Sequence, residues 1–102
     1  MSNDLEQINK ISELAISKGL NPDMLQDCAE KFGPGSPPVL GCMVALVREA
    51  WGDPCIYARQ ADIWDTARWA VYRLPPDLAW WEYVAGGTTE TEALRAALEA
   101  AP

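Results

Sequence analysis

Histidine is missing altogether from this 102-residue chain. Its absence excludes Ser-His and Cys-His nucleophilic pairs and removes the commonest general base and metal ligand. Cysteine is scarce, and the spacing of Cys28, Cys42 and Cys55, fourteen and thirteen residues, matches neither the close pairs of zinc sites nor a redox Cys-x-x-Cys. Cys42 reads as a small core residue. Cys55 follows Asp53-Pro54 at an expected helix start, where the helix dipole activates a thiol but the Asp53 charge opposes it, so it too reads as packed. Basic residues are few: eight against fifteen acids leave a net charge of −7, which argues against direct nucleic acid binding through phosphate neutralisation. The acids are spread along the chain and interrupted by basic residues, so they read as a solubilising surface and not as a phosphate mimic. Long apolar runs are absent too. The longest uncharged, mainly apolar run, Pro37 to Val47, is well short of the roughly 20 residues that span a bilayer. Met1-Ser2-Asn3-Asp4 has neither the basic nor the apolar region of a secretory leader, so the expected location is cytoplasmic, with no membrane partner. Gly33-Pro34-Gly35-Ser36 lacks the lysine of a phosphate loop. No cofactor or metal site is expected.

No segment alternates with period two for long enough to predict a strand, and there are no internal repeats. Helix punctuation is plentiful. Asn3 with Glu6 suggests a capping box, and Leu5, Ile8, Ile11, Ala15 and Ile16 recur at helical spacing until Gly19. Asn21-Pro22 opens a second short helix with Met24, Leu25, Cys28, Ala29 and Phe32 on one stripe, closed by Gly33-Pro34. Ser36 is placed to cap a third helix from Pro37 to about Ala50, apolar on almost every face and therefore expected at the centre. Gly41 and Ala45 leave a flat strip on it for a neighbouring helix. From Pro54 to Leu74 no glycine or proline intervenes, which predicts one long helix or two abutting ones; Asp77 to Ala85 predicts a short turn or helix, and Thr89 with Glu92 caps a last helix seamed by Leu94, Ala97, Leu98 and Ala101. The expected fold is all-α: a compact single domain of about five short helices around the central apolar helix of residues 37–50.

The order of a cysteine-bearing apolar helix (Gly41-Cys42-Met43-Val44-Ala45-Leu46), a helix ending in Leu74-Pro75, Leu78-x-x-Trp81, and Gly87-Thr88-Thr89-x-x-Glu92-Ala93-Leu94 resembles a small helical family of unknown function from actinobacteria and their phages. The resemblance covers residues 37–101. Trp81-Glu82-Tyr83 stands where that family has Trp-Asn-Asp, so no role of its Asn-Asp pair carries over. The resemblance implies a phage or mobile-element origin and no particular activity.

All five tryptophans lie within thirty-one residues, Trp51 to Trp81, interleaved with Tyr57, Tyr72 and Tyr83. Such density marks a core or a binding face. Helical phase assigns Trp51 and Trp64 to folding and leaves Trp69 exposed, and the resemblance, which matches Trp81 to the family's turn tryptophan, implies that Trp80 is the exposed member of the adjacent pair. With Tyr72, Arg73 and Tyr83, rimmed by Asp77 and Glu82, Trp69 and Trp80 make an aromatic-and-arginine patch with the composition of a protein-binding hot spot. The expected function is a small acidic protein-binding module, which the resemblance extends to a phage-borne inhibitor or modulator of a host protein. A small-molecule receptor with a Trp/Tyr pocket and a homo-oligomeric accessory protein are the alternatives. Enzymatic activity is not expected. Asp62 and Asp65, three apart on one helix face, could hold a cation or act as acid and base, but Arg59 and Arg68 nearby favour surface ion pairs.

Overall fold

The computed structural model describes residues 3–60, 68–74, 77 and 80–102. Among them the chain forms four helices and a three-stranded antiparallel sheet: α1 (Asn3–Ser17), α2 (Asp23–Phe32), α3 (Pro37–Trp51), β1 (Tyr57–Gln60), β2 (Trp69–Arg73), β3 (Glu82–Gly87) and α4 (Glu90–Ala100). The fold is α+β, which corrects the all-α expectation and its bundle of five helices.

The helices stop where local chemistry says they should. Gly19 and Gly52 take positive φ, 78° and 63°, at the ends of α1 and α3, a conformation glycine adopts without the steric penalty of a side chain. Asn21 serves α2, its Oδ1 accepting a bond from the Asp23 amide at 2.9 Å. Ser36 stands at the N-cap of α3, but its hydroxyl donates to the Gly33 carbonyl, at 2.7 Å, instead of capping an amide. Thr89 is a true cap: its Oγ1 accepts from Glu92 N at 3.2 Å, while the Glu92 carboxylate accepts from Thr88 N at 3.0 Å. The side chain of Asn3 and the residues 61–67, with Asp62, Trp64 and Asp65, lie outside what is described.

In place of the one long helix or two abutting ones expected from Pro54 to Leu74, strands occupy Tyr57–Gln60 and Trp69–Arg73, and β3 takes the end of the segment expected as a turn or helix from Asp77 to Ala85. The stripe of Ala70, Val71 and Leu74 fits a helical wheel, yet Trp69-Ala70-Val71-Tyr72-Arg73 is a short apolar run rich in strand-forming side chains, which periodicity alone does not tell from a helix. The sheet order is β1-β2-β3. Tyr57 faces Tyr72, Ala58 faces Val71, and Gln60 faces Trp69 in the first pair. In the second, Trp69 faces Gly87, Val71 faces Ala85 and Tyr72 faces Tyr83. The shift between the last two pairings makes Val84 the extra residue of a bulge.

The central element is α4, not α3. It crosses the sheet on one side and meets α1 and α3 on the other, burying Thr91, Ala93, Leu94, Ala97 and Leu98. Its small Ala93 and Ala97 let neighbouring backbones approach. The α3 helix buries Val39, Met43, Leu46 and Val47, but Gly41 and Ala45 remain exposed, and no neighbour lies within 4 Å of where a Gly41 Cβ would sit. No helix among the described residues therefore uses the flat strip. Ile8, Ile11, Leu25, Ile56 and Val71 complete the core. Arg95 reaches from α4 to Gln7 of α1, Nε to Oε1 at 2.7 Å, and Gln26 of α2 donates to Ser12 of α1 at 2.8 Å, so the buried polar groups Gln7 and Ser12 are satisfied where they sit.

Candidate functional site

Strand alternation divides the aromatic residues between two sides of the sheet. On the side facing α4, Ala58, Trp69 and Ala85 pack against the core around Val71. On the opposite side Tyr57, Tyr72 and Tyr83 come together because the register sets them abreast on three successive strands. Tyr57 and Tyr72 have centroids 5.9 Å apart, and Tyr72 meets Tyr83 edge-to-face at 6.0 Å. Trp81 joins the row edge-to-face with Tyr57 at 4.7 Å. The Arg59 guanidinium carbon lies 5.3 Å from the Tyr72 ring centre, a cation–π distance. Trp80, Trp81 and Tyr83 are 68%, 44% and 49% exposed, far more than fold-forming aromatics need.

This row contains only part of the patch expected from helical phase. Trp80 is exposed and Tyr83 stands in the row. Trp69 packs against the core from the other side of the sheet. Arg73 is also engaged there: its guanidinium carbon lies 5.1 Å from the Trp51 ring centre and its Nε is 3.3 Å from Glu82 Oε1. Trp51 in turn donates its indole N–H to the Ala97 carbonyl at 2.8 Å, so Trp51, Arg73 and Glu82 join α3, the sheet and α4. Asp77 is exposed and lines a cleft of about 470 Å³ beside Trp51 and Arg73. Tyr72, a member of the expected patch, stands in the row, and Tyr57 and Trp81 join it from outside that patch. The signal for Tyr57 is the alternation Tyr57-x-Arg59, which becomes informative only when β1 pairs with β2 and sets Tyr57 opposite Tyr72.

Two further features lie away from the sheet. A groove of about 510 Å³ runs between α2 and α3, with Leu25, Cys42 and Leu46 among its apolar lining and Asp23, Asp27 and Glu49 among its polar lining. Beside it the Cys42 thiol donates to the Cys28 sulfur at 3.5 Å. Burial pushes the Cys42 thiol up from its ordinary value, and the neighbouring Cys28 adds to the shift. Cys55 is exposed and precedes β1, so the helix dipole expected to act on it is not there; its amide donates to Asp53 Oδ1 at 2.9 Å.

Among the described residues no three histidine, cysteine, aspartate or glutamate side chains are grouped to hold a metal ion, and no helix is long and apolar enough to cross a membrane. Comparison with known protein families, curated proteins and solved structures returns no match, so the functional reading starts from the geometry of these residues.

Proposed function

We propose that the protein is a binding module that docks a protein partner through the aromatic face of its sheet. The observation that carries this reading is the row Tyr57, Tyr72 and Tyr83, set by strand register on the side away from the core, with Trp81 packed against Tyr57 and the rings of Trp81 and Tyr83 exposed. Tyrosine and tryptophan offer large contact area with few rotatable bonds, and each has a polar tip for a hydrogen bond at the rim, which is why they dominate binding hot spots. A rigid sheet holds them in place before the partner arrives, so less ordering entropy is lost on binding. The role of inhibitor or modulator of a host protein belongs to this proposal as the consequence of a phage origin.

The test is capture from cell lysate on immobilised protein, with retained proteins identified by mass spectrometry. A partner retained by the wild type and by Glu13→Ala, a change on exposed α1 surface, but lost with Trp80→Ala, Trp81→Ala or Tyr83→Ala, supports the reading. Equal retention by all variants overturns it. Sedimentation velocity separates the homo-oligomeric alternative, in which the same ring substitutions dissociate a dimer.

A further inference from the structure

Cys28 and Cys42 stand fourteen positions apart in sequence, on α2 and α3. The corner at 33–36 turns the chain back so that the two helices lie side by side. Neither cysteine is required there as a polar group, since a half-buried alanine or serine fills similar space. Yet the packing brings the sulfurs to 3.5 Å, roughly 1.5 Å longer than the covalent S–S bond of about 2.05 Å. Forming the bond requires the two side chains to rotate toward each other across that gap. Both thiols are only partly buried, so a small oxidant reaches them, while Cys55 lines the cleft beside Trp51 and belongs to a different part of the surface.

We propose that Cys28 and Cys42 are an oxidative modification site: a dithiol that a peroxide converts to an intramolecular disulfide, pinning α2 to α3. One sulfur attacks a peroxide oxygen, the O–O bond breaks, and a sulfenic acid forms with release of water. The second sulfur attacks the sulfenic sulfur and expels hydroxide, which takes the second thiol proton and leaves as water. The balance is two thiols and one hydrogen peroxide giving one disulfide and two waters, each sulfur losing one electron and the peroxide gaining two. Cys42 also lines the α2–α3 groove, so the bond fixes the spacing of its walls. Closing a loop of this length restricts the unfolded chain and raises Tm by on the order of 10 °C.

The experiment treats the full chain with stoichiometric hydrogen peroxide and reads intact mass, peptide linkage and Tm. The expected result is loss of about 2 Da, a linked peptide containing Cys28 and Cys42, and a higher Tm that reverts with dithiothreitol. Cys55→Ser keeps all three; Cys28→Ser and Cys42→Ser lose them, with circular dichroism verifying that each variant is folded. Phenylarsine oxide supplies a second readout that needs no oxidation and no variant that must fold: neighbouring thiols chelate the arsenic one-to-one with loss of water, and Cys55→Ser retains that stoichiometry. Oxidation that yields only Cys55-linked dimers or sulfinic acids, a Cys28–Cys42 bond that lowers Tm, or failure to chelate the arsenical overturns the proposal.

Discussion

Gly87 is the residue on which the sheet-to-helix contact can be tested most directly. A methyl group built on it would sit 2.7 Å from the Ala93 backbone nitrogen, 2.7 Å from Glu92 Cβ and 2.9 Å from the Glu92 carbonyl carbon. Two of these atoms are backbone in the first turns of α4, held by the Thr89 cap, and cannot swing aside as a side-chain tip would. Gly87→Ala must therefore push β3 away from α4, or α4 away from the core it organises. Overpacking of this kind costs about 1–3 kcal/mol. For a domain of this size that lowers Tm by roughly 5–20 °C. The internal control is Gly41→Ala, where the added methyl meets nothing within 4 Å in the middle of α3; alanine's higher helix propensity stabilises by about 0.5–1 kcal/mol. Differential scanning calorimetry, backed by urea titration to verify an unchanged m-value, reads both. A Gly87→Ala protein that melts with the wild type, or a Gly41→Ala protein that melts lower, would refute the placement of these two glycines.

Other outcomes follow from named contacts. Thr89→Ala removes the acceptor for Glu92 N and is expected to cost about 1 kcal/mol by chemical denaturation, with Thr89→Ser recovering most of it. Trp51→Phe keeps the apolar bulk but leaves the Ala97 carbonyl without its indole donor, for a loss of about 1–3 kcal/mol. Burial pushes the Glu90 carboxyl up from its ordinary value. Between its unfolded and folded values the native state binds more protons than the unfolded one, so the Glu90 contribution is most favourable in acid and declines as pH rises through the folded value. Urea titrations from about pH 4 to pH 7 should show wild-type stability falling relative to Glu90→Gln over that interval; a rise would mean that the charge at the start of α4 favours folding through the helix dipole more than burial opposes it.

The four helices were legible in sequence because their signals are local. A glycine at positive φ, or a threonine three residues before a glutamate, acts within one turn of chain and does not depend on the rest of the molecule. Short strands have no such autonomy. The five residues of β2 are a short apolar run compatible with a buried strand or a helix segment, and only pairing with β1 and β3 selects between them. That choice reverses the tryptophans. Helical phase groups Trp69 with Asp62 and Asp65 on a polar side, whereas strand alternation groups it with Val71 in the core. Trp81, assigned to folding through the family resemblance, is instead half-exposed against Tyr57.

By itself the sequence determined the positions and limits of α1, α2, α3 and α4, the acidic surface, and the exclusion of histidine chemistry, since each follows from composition or from interactions within a few residues. The tertiary structure alone decided that three tyrosines from separate strands form one row and that two cysteines fourteen residues apart share a contact. Both depend on distances across the fold, which strand register and helix packing set and which no spacing along the chain encodes.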